Sequence, residues 1–438
     1  MKFSGKGPVD VKPKRAFLAG LVPLTSRPTL YYDLRSAPFN GIYFGVIALM
    51  PWVAKHTLQA SDTEVAVLMA APAAANLLTV YWAHLVAGRP KMPFVLWAGI
   101  AARALMLAVG FAVNSLMLVV LATLAYLVGN IATPALNSIW RNNYPGTHRY
   151  GVVGAVLTVT LLVTVVVSLA AGWALKEYDE RLFRVFFPAA AIVGMAGVYV
   201  FSRVKVRGET RDFGAERSDR EAFSILGSLG VLLRDRKFGI FMLMQFIVGF
   251  SNLLTGAVLV RLLKDQDANY LTAALALSVA PNALMVLTMP LWGRMLQKMN
   301  PWRARSVFSV IWIAGGLCIA LSGNHVWMVI AGQAIAGAAF GGGSLLWNLQ
   351  QMYFAPREEV PRYMGVHCTL TGIRGLTAPF LGVALMGLWG THTVFFLSVG
   401  GFVVGEMIAL TMAGKEHKEG GGRGHVDGAG FAGEQLNR

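Results

Sequence analysis

Long apolar runs, each near the roughly 20 residues that a helix needs to cross a bilayer core, recur along this chain between breaks of charged and turn-forming residues. Twelve runs predict helical spans at 37–55, 64–86, 93–113, 116–138, 150–174, 183–202, 238–260, 270–292, 305–323, 326–350, 364–388 and 392–413. The longest break, Arg203 to Lys237, divides them six and six. Within it Phe223, Leu226, Leu229 and Leu233 recur at three- and four-residue spacing, which predicts a short amphipathic helix lying on the membrane surface. After 413 the chain turns glycine-rich and polar, so 414–438 is expected to be a disordered tail. The first 35 residues are basic and contain no small-residue cleavage site after a short apolar core, so the first span is expected to be its own insertion signal. The pattern describes an all-α integral membrane protein: an N-terminal segment (1–35), a six-helix bundle (36–202), a linker (203–237), a second six-helix bundle (238–413) and the tail.

Composition agrees with the pattern. Of 438 residues 55% are hydrophobic and 14% charged, against about 25% charged in soluble domains. Mean hydropathy is +0.56. The only two cysteines, Cys318 and Cys368, sit in apolar stretches and cannot build a disulfide framework or a multi-thiolate metal site. No Ser-His-Asp, paired-carboxylate or metal-ligand spacing is present, so neither an enzyme nor a cofactor protein is expected.

The net charge of +16 acquires meaning from its placement. Thirty of the 38 Lys and Arg lie before the first span, in the loops after even-numbered spans or in the tail. The other loops and their edges hold Lys55, Lys176, Arg181, Arg184, Arg261 and Lys264, which leaves Arg103 and Arg374 inside spans. By the positive-inside rule both termini are cytoplasmic, in a bacterial-type inner membrane, and the basic excess orients the chain instead of binding nucleic acid.

The halves are copies of one another. LMAAP ending at Pro72 matches LSVAP ending at Pro281, and Tyr144 matches Tyr353, both at an offset of 209. RYGVVG from Arg149 matches RYMGVH from Arg362. With its twelve spans, cytoplasmic termini, long central loop and repeat, the chain resembles the major facilitator superfamily of secondary transporters across residues 36–413. The resemblance implies two pseudo-symmetric bundles around a cavity that opens alternately to either side. It also implies a gating turn after the second span of each half, reading Gly, three residues, Asp, a basic residue, any residue, Gly and further basic residues. GRMLQKMNPWR offers Gly293, Lys298 and Arg303 to that motif, with Gln297 and Asn300 at the acid and second glycine. HLVAGRPK offers Arg89 and Lys91, with His84 and Gly88 where Gly and Asp belong. Gly293, Lys298, Arg303, Arg89 and His84 are the expected gating residues.

A charge near the bilayer centre costs about 2.5–3.5 kcal/mol on insertion scales and asks for a reason. Arg374 lies mid-span, on one helix face with His367 and Thr371 at i, i+4 and i+7, and its planar fork suits a carboxylate or phosphate. Three other spans carry polar stripes: Asn130, Thr133 and Asn137; Gln245 and Asn252; and Ser344, Asn348 and Gln351. The family fold would point these helices at the cavity, which makes Arg374, Thr371, His367, Asn130, Asn137, Gln245, Asn252 and Asn348 the expected substrate contacts. Arg103 is expected to be structural, Glu406 is the one carboxylate well inside a span, and Gly341 to Gly343 let their helix bend or approach a neighbour closely, as a hinge for gating would. The expected partners are the bilayer, a small polar or anionic solute and a coupling ion, with the protein a monomer. The rival reading is efflux of amphipathic compounds, and a non-transporting sensor is the alternative of another class.

Overall fold

A computed structural model describes residues 22–208, 230–296, 299–346, 353–356 and 359–421. Lipid offers backbone groups no hydrogen bonds, so a spanning segment must satisfy its own, and every span here does so as a helix. Among the described residues eleven helical segments are long and apolar enough to cross a membrane: Leu24–Thr57, Lys91–Val109, Ser115–Asn143, Gly151–Glu177, Glu180–Phe201, Arg236–Asp265, Tyr270–Leu296, Pro301–Ala320, Val326–Leu346, Arg362–Trp389 and Thr391–Glu416. The twelfth, second in chain order, is broken at Leu78 into Asp62–Leu77 and Thr79–Val86. The spans are numbered below in chain order, one to twelve.

Packing repeats between the halves. Span 1 packs on spans 5 and 6, span 3 on spans 4 and 6, and span 2 on span 4; span 7 packs likewise on spans 11 and 12, span 9 on spans 10 and 12, and span 8 on span 10. The halves meet along spans 2 and 11 and along spans 5 and 8. Small residues let these helices approach, as interfaces in lipid require. A Cβ on Gly375 would overlap that of Ala73, one on Gly172 would overlap that of Ala274, and one on Gly337 would run into the backbone of Pro281.

Three sequence boundaries are corrected. Span 1 begins its helix at Arg27, ten residues before the expected 37, because Thr29 and Asp33 are buried against span 4 and not solvated. Asp33 is therefore a buried carboxylate within span 1, which the sequence boundary had left outside. Span 9 begins at Pro301 instead of 305, which turns Arg305 from a loop-edge cation into a buried helical residue. The last helix runs on to Gly421, past 413, with Glu416 accepting hydrogen bonds from Asn300 and Trp302. Of the expected linker helix, Phe223, Leu226 and Leu229 lie outside the described residues, and Leu233 sits in the short helix Val231–Arg234.

The cores locate the closure between the halves. At the end opposite Val22 and Gly421, here the far end, one continuous buried cluster joins both halves, from Trp52, Leu68, Leu118 and Phe187 to Leu259, Tyr270, Ile319 and Phe395. At the near end the buried side chains form four clusters, each confined to one half. Among the described residues the bundles thus share one core at the far end, while their near-end clusters stay separate.

Candidate functional site

The far-end closure is built from the joints between spans 1 and 2 and between spans 7 and 8. Span 1 ends in a wide π turn, Val53–Thr57, a local distortion often found at functional sites. Span 2 starts with a Ser61–Glu64 capping box, which places Asp62 in its first turn. The buried Lys55 ammonium donates to Asp62 Oδ1 at 2.5 Å and to the Ala60 carbonyl at 3.1 Å. Across the interface, Arg261 Nη1 lies 3.4 Å from Asp62 Oδ2, and Lys264 donates to Gln59 Oε1 at 2.8 Å and to the Lys55 carbonyl at 3.4 Å. Thr57 Oγ1 bonds to the Tyr270 hydroxyl and donates to Glu180 at 3.2 Å, and His56 Nδ1 lies 3.1 Å from the same carboxylate oxygen. The His56 ring stacks on Trp52, and Tyr270 meets both edge-on.

Sequence reasoning missed this latch, although it left a signal. Lys264 lies 209 positions after Lys55, which is the offset of the repeat itself, and the two touch. A residue reaches its own copy across a pseudo-twofold only near the axis. These cations had been weighed only as loop charges that set orientation.

Inside the closure lies a cavity of about 360 Å³. Its walls are mostly apolar, with Phe44, Met50, Met69 and Tyr126 from the first half and Asn282 reaching in from the second. Asn282 donates to Ser278 Oγ at 3.3 Å, and Ser278 in turn bonds Ser168 across the interface at 2.8 Å. Ser278 belongs to a second π turn, Leu275–Val279.

The expected substrate contacts do not line that cavity. Arg374 is buried between spans 11 and 7, where Nη1 donates to the Gln245 carbonyl and Nη2 to Thr371 Oγ1 at 3.2 Å. A Cβ on Gly249 would overlap its guanidinium, so the glycine makes the room. His367 is buried and lies within electrostatic reach of Arg374 and Arg305. The structure thus brings Arg374, Thr371, His367 and Gln245 together inside the second bundle. Asn130 donates to Asn76 at 3.0 Å and accepts from Thr79 at 2.7 Å, joining spans 2 and 4 beside the break at Leu78. Asn137 is exposed, Asn252 is half-buried and Asn348 lies outside the described residues.

The expected gating residues are scattered. Gly293 is in the last turn of its helix in open space, Lys298 lies outside the described residues, Arg303 and Arg89 are exposed, and His84 is half-buried. Lys91, not Arg89, is the side chain that holds a helix end, donating to the Val86 carbonyl at 2.9 Å. Gly341 and Gly342 are sites of close packing against span 8 and Phe308, where a hinge was expected. Arg103 donates to Asn40 Oδ1 at 2.8 Å and lies over the Tyr43 ring, tying span 3 to span 1. Glu406 accepts from Ser306 at 2.5 Å. Both cysteines are free, and among the described residues no three His, Cys, Asp or Glu side chains gather to hold a metal ion.

Twelve helices in two like bundles, joined at one end beside a half-open pocket, define a transporter-type membrane fold, and comparison with known proteins names the family. The family model described as the Major Facilitator Superfamily matches residues 39–321 and 241–430, and the chain belongs to that family. Among solved structures it is similar to a mutant of the nucleoside transporter NupG (TM-score 0.68, 11% identity, 87% of this chain and 99% of that one covered). It is also similar to a mutant of the peptide transporter POT (TM-score 0.67, 16% identity, 92% and 96% covered). A third is a bacterial homolog of the human lysosomal transporter Spinster in its inward-facing, occupied conformation (TM-score 0.62, 15% identity, 89% and 97% covered). No curated protein sequence matches significantly.

Proposed function

We propose that the protein is a secondary transporter that carries a small organic solute across the cytoplasmic membrane by alternating access, as a monomer with both termini in the cytoplasm. The observation that carries this reading is the asymmetry of the cores: one cluster fuses the halves at the far end, while the near end has separate clusters in each half. With basic loops and termini on the cytoplasmic side, this is an inward-open arrangement sealed by the Lys55–Asp62–Arg261 latch. Transport would require the latch to open as the near end closes.

Two features bear on the solute. The cavity offers an apolar wall with a few hydrogen-bonding groups, among them Asn282, and this favours an amphipathic molecule. The buried basic side chains of the second bundle favour an anionic group. A small amphipathic organic anion satisfies both. Purified protein in liposomes should show counterflow of labelled aromatic carboxylates above protein-free vesicles, and a non-transporting sensor would show none. Uptake of lipophilic cations with indifference to anions would favour the drug-efflux reading.

A further inference from the structure

Arg305 is an anomaly in the second bundle. It sits one turn into span 9, nine-tenths buried, and makes no hydrogen bond or ion pair with any described residue, with its Nε enclosed and unpartnered. A buried charge without an answering group is costly, and the charge that reaches Arg305 is the like charge of Arg374. Arg305 feels Arg374, and His367 feels both. No described carboxylate on the surrounding helices pairs with Arg305, although Glu406 keeps one buried oxygen, Oε2, without a donor. Asp235 accepts from Tyr363 and from the Phe238 amide, Glu406 from Ser306, and Glu416 from Asn300 and Trp302. Beside the arginines Gln245, whose carbonyl holds Arg374, buries its Oε1 without a donor. The cluster therefore has positive charge with nothing to answer Arg305, and a buried acceptor with no donor.

We propose that Arg305 and Arg374 form a two-arginine seat for a carboxylate or phosphate group, with Gln245 taking a hydroxyl beside that group, and that the seat recognises the anionic end of the transported solute. The inference deepens the transport reading and rests on it for the identity of the ligand. Arginine suits the task because its guanidinium stays charged when buried and presents a flat fork of donors to a planar or tetrahedral anion. Arg374 is held in place from both sides by Gln245 and Thr371, so little ordering is left for the ligand to impose.

The test measures thermal stability of the purified full-length protein against mandelate, an aromatic 2-hydroxy acid, its neutral amide, and inorganic phosphate, at ionic strength held constant with a chloride salt. Mandelate should raise the melting temperature and its amide should not. Arg305→Gln should weaken mandelate binding by about tenfold or more, Arg305→Lys less, and the exposed Arg303→Gln not at all. Should Arg305→Gln fail to fold, Gln245→Glu supplies an internal counter-charge and should abolish the mandelate shift while raising the ligand-free melting temperature. Unchanged anion affinity in Arg305→Gln or in Gln245→Glu overturns the seat, as does a wild-type protein that neither anion stabilises. Stabilisation by phosphate that is not itself exchanged across vesicles keeps the seat but makes its ligand a resident inorganic anion. Counterflow of neutral amphipathic solutes by a protein that binds no anion would sink this inference and leave the transport reading standing.

Discussion

A polar side chain inside a bilayer protein must find its partners within the fold, and the buried residues here divide by how they do so. Asp33 accepts from Trp140 Nε1 at 3.1 Å and from the Tyr144 hydroxyl at 3.0 Å, joining spans 1 and 4 at the near end. Asp33→Leu removes the acceptor from both donors and is expected to cost about 1–3 kcal/mol, read as a lower melting temperature in detergent, with Asp33→Asn closer to wild type. Gly249 is the complementary case. Gly249→Ala puts a methyl where the Arg374 guanidinium rests, displacing it from Gln245 and Thr371, and should both raise KM for the solute and lower the melting temperature. Arg374 was legible in the sequence because one arginine amid a long apolar run stands out. Asp33 and Arg305 were not, because both fall at the edge of a run, where composition cannot tell a solvated turn from a buried one.

At the scale of elements, helix ends and breaks were harder to read than helices. Span 2 looks continuous by hydropathy, yet it breaks at Leu78, and Asn130 bridges to Asn76 and Thr79 on either side of the break. The start of that span rests on the Ser61 cap, whose hydroxyl accepts from the Glu64 amide at 3.2 Å. Ser61→Ala should cost about 1 kcal/mol, measured by thermal unfolding, and should also loosen the latch that Asp62 forms from the same turn. Between spans 8 and 10 the approach is backbone against backbone. Gly337→Leu should cost about 3 kcal/mol through overpacking against Pro281, seen as aggregation on size exclusion. The tandem Gly341 and Gly342 looked like a hinge in sequence because flexibility and close approach call for the same residue. The neighbouring Trp292 and Phe308 show the close approach at these two glycines.

For the whole molecule, the transport reading makes the far-end latch the element that sets which side is open. Asp62→Asn leaves the buried Lys55 ammonium without its anion and removes a partner of Arg261, so closure should weaken by about 1–3 kcal/mol. In that background a cysteine at the cavity position Met69 should react with a membrane-impermeant maleimide from the outside about tenfold faster than in the latched protein. Equal rates would mean that the core, and not the ion pairs, holds the far end shut. The sequence alone carried the twelve-span pattern, the alternation of basic and less basic loops and the duplication, because lipid imposes apolar length and charge placement on each segment separately. Only the tertiary structure decided which polar residues meet: Lys55 with Lys264 at the pseudo-twofold, Asn130 with Asn76, and Arg305 beside Arg374 inside the second bundle. Those contacts depend on how helices far apart in the chain are rotated against one another, and rotation leaves little trace in a helix that is apolar on most of its faces.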